Sequence, residues 1–155
     1  MAKAGFWAVG GYKISFRADG RWYADEEVIA HPRIALLFSQ HIRPAPGGGW
    51  MIDVGVDRQT VEVEDTPLVV IAVAGEPDDG FTIKTNDGVE QELDCATLSI
   101  GSGDVLYCEV DRGERGRMRA RFLRPPYYEL VRWIEDGHSR PVLRCRGVLH
   151  PIGAR

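Results

Sequence analysis

The chain has 155 residues, of which 44% are hydrophobic and 27% charged, with a formal net charge of −4. This length can bury a core without disulfides or metals, and the composition is that of a globular protein. There is no apolar run of about 18 residues, which excludes an ordinary membrane-spanning helix, and residues 1–13 lack the pattern of a secretory signal. We therefore predict a cytoplasmic protein.

The first predicted elements are a β-hairpin and a helix. Residues 12–16 and 21–24 have strand character and flank the turn sequence ADG, and an extended piece follows over residues 26–29. The period then changes to that of a helix over residues 32–42, which begins at a proline suited to the first turn. One apolar stripe lies at helical spacing, formed by Ile34, Leu37, Phe38 and His41.

A series of strands follows this helix. The segment 68–74 is apolar throughout, so we expect a central strand that is covered on both faces. The sequence NDG at residues 86–88 predicts a tight hairpin turn. Together with 68–74, the strands predicted in this region cover residues 50–54, 60–64, 81–85, 89–93, 104–110 and 117–122.

A second helix is predicted over residues 125–135, closed by Gly137 and followed by one strand over 141–152. Its first octet, RPPYYELV, resembles HPRIALLF in the first helix at a spacing of 93 residues, which indicates a duplicated unit. We therefore predict an α+β fold of two related β-β-α-β-type subdomains, with mainly antiparallel sheets and two principal helices. The sequence PDDG places their boundary between residues 1–76 and 77–155.

Charge is distributed unevenly along the chain. Residues 1–111 carry 8 Lys/Arg against 19 Asp/Glu, a net charge of −11, whereas residues 112–155 carry 11 Arg against 4 Asp/Glu, a net charge of +7. Four arginines occupy every second position and so predict one charged face of a strand, with Arg124 at the start of the next helix: Arg115, Arg117, Arg119 and Arg121. Two partners remain open for this row, an external anion or the alternating Glu62 and Glu64.

Motifs of known chemistry are absent from the sequence. It has no phosphate-binding loop, no dinucleotide fingerprint and no G-x-S-x-G nucleophile turn. The three cysteines are widely spaced without a C-x-x-C, and we expect no metal, no cofactor and no catalytic triad. The candidate ligand-binding residues are Arg115, Arg117, Arg119, Arg121, Arg124, Asp65 and Tyr127.

Five segments occur in an order that resembles a bacterial family, DUF1285. They are DGRWYADEEVIAHPRIALLFSQHI, VEVEDTPLVV, TNDG, RPPYYELV and GVLHPIG, and they span residues 19–153. Arg115–Gly116 also fits the family pattern, whereas Leu68 stands where the family has an aromatic residue, and the other arginines of the row have no counterpart. The resemblance implies an α+β fold with repeated motifs, no established activity, and a suggested link to signal transduction.

These observations predict a non-enzymatic cytoplasmic module that binds a small anionic ligand or an acidic protein partner. A patch of guanidinium groups suits phosphate and carboxylate, whereas the overall acidity and the missing motifs disfavour nucleic acid. Two alternatives remain. One is a hydrolase-like enzyme with Asp65 or His31 as general base, and the other is a purely structural interaction domain whose arginines join its halves.

Overall fold

The structure is a computed structural model that describes residues 11–154. Residues 1–10 and Arg155, with which the predicted subdomains begin and end, lie outside the described residues. The described part contains two large β-sheets, one small sheet and two α-helices. The predicted α+β class with mainly antiparallel sheets and two principal helices is confirmed, and the two large sheets correspond to two subdomains.

The first large sheet has six strands, and the first helix connects its third strand to its fourth in chain order. Its elements are β1 (Ile14–Phe16), β2 (Trp22–Ala24), β3 (Glu27–Val28), α1 (Pro32–His41), β4 (Ile42–Pro44), β5 (Trp50–Asp53) and β6 (Arg58–Val63). The strand order is β3-β2-β1-β6-β5-β4. Neighbours are antiparallel except for β1 and β6, which run parallel.

The second large sheet follows directly. Its strands are β7 (Leu68–Glu76), β8 (Gly80–Thr85), β9 (Glu90–Glu92), β10 (Ser99–Gly101), β11 (Val105–Asp111) and β12 (Arg117–Phe122). A 3₁₀ turn, Cys95–Thr97, connects β9 to β10. Read from β9, the order is β9-β8-β7-β12-β11-β10. Among these six strands only β7 and β12 pair in parallel.

The C-terminal part adds a helix and a small sheet. Helix α2 (Arg124–Val131) is followed by β13 (Ile134–Glu135), β14 (Val142–Cys145) and β15 (Val148–Pro151), which form a three-stranded antiparallel sheet. The last strand, β16 (Gly153–Ala154), returns to the second large sheet and pairs in parallel with β10.

The two large sheets repeat one topology. Each consists of two three-stranded meanders, and the first strand of the first meander pairs in parallel with the last strand of the second. By this correspondence the counterpart of α1 is the 3₁₀ turn Cys95–Thr97, because both join the two meanders, whereas α2 follows the last strand. The proposed equivalence of the two helical octets is therefore wrong, although both octets are helical.

Three predicted elements differ from the structure. Helix α2 ends at Val131 rather than at residue 135, because Ile134 pairs with Leu143 in the small sheet. The predicted final strand is a hairpin, since Arg146 and Gly147 adopt positive φ angles of 54° and 80° that turn the chain between β14 and β15. Strand β7 is central, but only its first three residues are buried.

The sheets also bear on the subdomain boundary. The proposed division between residues 76 and 77 falls in the β7–β8 hairpin, where Glu76 pairs with Gly80. Since β7 also pairs with β12, its whole length belongs to the second large sheet. The change from one large sheet to the other occurs between β6 and β7.

A continuous core packs beneath both large sheets. Phe16, Trp22 and Phe38 form an aromatic cluster within it, with ring centroids 4.8 Å apart for the first two and 5.4 Å for the last two. This cluster fixes α1 against the β1–β2 hairpin. Neither helix within residues 11–154 is long and apolar enough to cross a membrane.

Candidate functional site

The alternation predicted for β12 is present. Met118, Ala120 and Phe122 are buried, whereas Arg117 and Arg119 are exposed and Arg121 is half-buried. Across the strand pair Arg119 lies opposite Glu109, and Arg117 forms an exposed ion pair with Glu109 at 3.3 Å. This part of the arginine row thus follows the period of a strand, as expected.

Arg115 does not belong to this row. It lies in a 3₁₀ turn, Gly113–Arg115, and Gly116 follows with a φ of 88° that reorients the chain before β12. Its guanidinium reaches the end of α1, where it donates to the carbonyl oxygens of Ile42 at 3.0 Å and Ser39 at 3.4 Å. The predicted alignment of Arg115 with the other three arginines is therefore wrong.

The proposed pairing of the arginine row with Glu62 and Glu64 is also wrong. Their strand, β6, lies between β1 and β5, whereas β12 lies between β7 and β11. Glu62 forms an ion pair with Lys13 at 3.3 Å, and Glu64 accepts a hydrogen bond from the backbone N–H of Ala18 at 2.7 Å.

Arg112 and Asp87 form a buried ion pair that the sequence did not predict. Their side chains are only 6% and 1% exposed. The guanidinium donates to four side-chain oxygens: to the two oxygens of the Asp87 carboxylate at 2.7 and 3.3 Å, to the Thr85 hydroxyl at 2.7 Å and to the Gln91 amide oxygen at 2.6 Å. Arg115 approaches the same carboxylate at 3.6 Å. Two cations thus share one buried anion.

The electrostatics of this cluster reflect its burial. Burial by itself would raise the pKa of Asp87, but hydrogen bonds from Arg112 and Thr85 lower it overall. Burial lowers the pKa of Arg115, and the Asp87 carboxylate opposes this shift. The signals that could have indicated the cluster are an aspartate within the NDG turn and an arginine at the start of the basic segment.

The NDG turn also joins the two large sheets. Ser39 on α1 accepts hydrogen bonds from the Trp22 indole N–H at 3.0 Å and the Asn86 side-chain amide at 2.8 Å. The oxygen of the Asn86 side chain in turn accepts from the backbone N–H of Val69 at 2.9 Å. With Arg115, this network fastens α1 to the second sheet.

The candidate site is a groove where the β1–β2 hairpin meets the second sheet. It consists of two cavities of about 480 and 320 Å³ that share Ala18, Val105 and Arg121. The larger cavity is further lined by Glu64, Asp65, Gly101, Ser102 and Tyr107. The smaller is further lined by Asp19, Phe122, Leu123 and Arg124.

Arg121 occupies the centre of this groove. Its guanidinium donates to the carboxylate of Asp65 at 2.8 Å, and the Tyr107 hydroxyl donates to the same carboxylate oxygen at 2.8 Å. The ion pair is partly exposed, with side-chain accessibilities of 26% and 18%. The two contacts orient the carboxylate, and Arg121 lines both cavities of the groove.

Arg124 lies at the other end of the groove, at the start of α2. It donates to the carbonyl oxygens of Gly103 at 3.1 Å and Asp104 at 3.3 Å, and its guanidinium carbon is 4.6 Å from the centroid of the Tyr127 ring. Within residues 11–154 it has no carboxylate at ion-pair distance, so its charge is not neutralised by a salt bridge. The helix adds few N–H donors here, because Pro125 and Pro126 have none.

The groove is therefore polar along its length. Two arginines and one aspartate, Asp19, line the smaller cavity. The carboxylate of Asp19 already accepts hydrogen bonds from the Tyr23 hydroxyl and the backbone N–H of Arg21. Around the larger cavity stand Glu64, Asp65 and one arginine. An anionic group fits the Arg124 end, and a hydrogen-bond donor fits the Glu64 end.

The predicted site residues thus fall into two sets. Asp65, Arg121 and Arg124 line the groove, with Tyr127 beside Arg124. Tyr127 itself does not line the groove, and neither do Arg115, Arg117 and Arg119. His31, the alternative general base, is an exposed N-cap of α1 whose Nδ1 accepts from the Arg33 N–H at 3.2 Å. Residues 11–154 contain no cluster of three potential metal ligands.

Known proteins share this fold. No family model and no curated protein matches the sequence. A DUF1285 family protein from Silicibacter pomeroyi DSS-3 superposes with a TM-score of 0.70 at 20% identity, over 91% of this chain and 79% of its own. The chain has the DUF1285 fold. A second DUF1285 family protein, from Shewanella baltica OS155, superposes with a TM-score of 0.60 at 20% identity, over 79% of this chain and 92% of its own. The fold that the DUF1285 resemblance implied is thereby confirmed.

Proposed function

We propose that the chain is a non-enzymatic binding module whose groove holds a small anionic ligand between Arg121 and Arg124. The observation that carries this proposal is that both arginines line one cavity and that Arg124 has no carboxylate partner within the described residues. A phosphate or carboxylate there would accept charge-assisted hydrogen bonds from two guanidinium groups. The proposed cellular setting is the cytoplasm, and a role in signal transduction rests on the sequence resemblance.

The ligand we favour is small rather than a protein. The groove is a concave pocket of two joined cavities, which suits a compact ligand. The exposed arginines on β12 offer an acidic protein partner a separate surface, because Arg117 and Arg119 do not line the groove. Binding to that surface would depend on Arg119 and leave the groove unaffected.

The experiment is a titration with inorganic phosphate, at constant ionic strength maintained with sodium chloride. We expect phosphate to raise the melting temperature of the wild type, since a ligand that binds only the folded state stabilises it by mass action. Arg124→Gln removes one cation of the groove and should abolish this rise. Arg117→Gln removes one exposed cation outside the groove and should retain it.

Two outcomes contradict the proposal. If phosphate changes neither the melting temperature nor the NMR amide signals of Gly101 to Val105, the groove does not bind this anion. If Arg117→Gln and Arg124→Gln lose the response equally, the effect is general charge screening. A response that depends on Arg119 would instead favour the acidic-partner surface.

A structural role is favoured for Arg115 by its contacts. Arg115 bonds to backbone carbonyls of α1 and to Asp87, and so joins the two sheets. This contact fits the structural alternative for Arg115, and it leaves the proposal for the groove with Arg121 and Arg124.

A further inference from the structure

The groove carries opposite charges at its two ends. At one end Arg124 has no carboxylate within ion-pair distance among residues 11–154, and it donates to carbonyl oxygens of the neighbouring loop. At the other end Glu64 has no basic side chain within ion-pair distance in the same part of the chain, although one of its carboxylate oxygens accepts from the backbone N–H of Ala18 at 2.7 Å. Each end of the groove therefore presents a charge that no salt bridge of the described chain neutralises.

The middle of the groove is balanced by comparison, because Arg121 and Asp65 form an ion pair there at 2.8 Å. Asp19 lines the smaller cavity, but both of its carboxylate oxygens already accept hydrogen bonds within the β1–β2 hairpin. For Glu64, residues 11–154 provide a hydrogen bond to one oxygen of the two. Glu64 therefore retains acceptor capacity for a donor in the groove.

A third cavity continues the groove beyond Glu64. Its volume is about 380 Å³, and Glu64 lines both this cavity and the larger cavity of the groove. Four carboxylates and two cations line it, namely Asp25, Glu26, Glu62, Glu64, Lys13 and Arg17. The two cations are already engaged, in ion pairs with Glu62 at 3.3 Å and Glu26 at 3.1 Å. The charge around this end is thus negative overall, which attracts a cation and repels an anion.

On the basis of the anion binding proposed above, we propose that the ligand of the groove is a small zwitterion. Its phosphate or carboxylate lies towards Arg121 and Arg124, and its ammonium group contacts Glu64. Arg121 and Glu64 line the same cavity of about 480 Å³, which is within the range of about 300 to 1,000 Å³ for small-molecule pockets. One compact molecule can therefore reach both charges.

Glu64 is the specificity-determining residue in this arrangement. An ammonium group there donates a charge-assisted hydrogen bond to the carboxylate, whereas a simple anion of the same length brings no partner for it. The difference in affinity between the two ligands is the specificity of the site.

The experiment compares ligands that differ in the ammonium group alone. The full chain is titrated at constant ionic strength, and the NMR amide signals of residues 101–105 report binding. Aminoethyl phosphate is compared with propyl phosphate, and aminopropyl phosphate with butyl phosphate, so that a methyl group replaces the ammonium at equal length. β-Alanine against butyrate tests carboxylate as the anion. In at least one pair we expect the ammonium to lower the dissociation constant about threefold to fivefold, the upper part of the range for exposed ion pairs.

Glu64→Gln is the decisive variant. The amide oxygen can still accept from the backbone N–H of Ala18, but the negative charge is gone. We expect the preference for the ammonium ligand to disappear, while propyl phosphate binds as well as before or more tightly. The matched control is Glu90→Gln, which removes an exposed glutamate of the edge strand β9 that lines none of the three cavities and should retain the preference.

The results separate this inference from the proposed function. If propyl phosphate binds in an Arg124-dependent manner but no ammonium ligand binds more tightly than its counterpart, the zwitterion is wrong and anion binding stands. If none of the phosphates or carboxylates binds, both proposals are wrong. A preference for ammonium that survives in Glu64→Gln would also overturn the inference, because the ammonium group would then bind elsewhere.

Discussion

The guanidinium of Arg112 donates to the carboxylate of Asp87 across 2.7 Å, and less than a tenth of either side chain is exposed. Arg115 shares this carboxylate and extends to the last turn of α1. The first and second large sheets are thus joined through a buried anion between two cations. Removing one charge from such a cluster is costly, because the remaining charges stay buried without compensation.

We therefore predict that Asp87→Asn lowers the free energy of unfolding by about 3 kcal/mol, the lower end of the range for a broken buried ion pair. The substitution retains the shape of the side chain but leaves two arginines beside a neutral amide. Urea denaturation monitored by tryptophan fluorescence measures the change. Glu109→Gln is the control, because its partner Arg117 is exposed and the expected loss is under about 1 kcal/mol. Equal losses in both variants would contradict the role of burial.

The same carboxylate should make stability depend on pH. The pKa of Asp87 is lower in the folded chain than its usual value, so its contribution is fully present above an unfolded pKa of about 3.9. That contribution is lost as the pH falls through the lower folded pKa. The difference in unfolding free energy between wild type and Asp87→Asn should shrink as the pH falls below the unfolded pKa of about 3.9. A difference that stays constant in acid would show that Asp87 is not the titrating group.

Ser39 is the second connection between the sheets. Ser39→Ala removes the acceptor of two hydrogen bonds, from Trp22 and Asn86. We expect a loss of about 2 kcal/mol, because two donors are left with no protein partner in a largely buried site. Thermal denaturation provides the measurement. The matched control is Ser99→Ala on β10, whose side chain is half-buried, and a similar loss there would contradict the argument.

The end of β7 should tolerate no side chain at Gly75, which pairs with Phe81 on β8. Its φ is 120°, and a Cβ placed there would lie 2.2 Å from the carbonyl oxygen of Gly80. Gly75→Ala should therefore cost more than the 1–3 kcal/mol or so of backbone strain alone. Gly55→Ala is the comparison, since Gly55 has a φ of 93° but no atom within 4 Å of a new Cβ. Unfolding free energies that are lowered equally would show that the clash is relieved at no cost.

Features that depend on neighbours in sequence could be predicted without the structure. The helix that begins at Pro32, the hairpin around NDG and the alternation of β12 each follow from local backbone and side-chain preferences. The ordered motifs also indicated the DUF1285 fold. The end of α2 was missed because Ile134 gains a strand partner, Leu143, in the following strand β14, and helix periodicity does not register such competition.

The sequence by itself determined the fold class, most element positions and the surplus of arginine near the C-terminus. Only the tertiary structure decided which arginines serve which purpose. Arg115 lies in a buried cluster with Asp87. Arg121 forms an ion pair with Asp65 in the groove, and Arg124 donates a hydrogen bond to the carbonyl oxygen of Gly103. The physical reason is that strand pairing and burial join residues far apart in the chain, and a charge pattern along one segment does not specify which segment lies opposite.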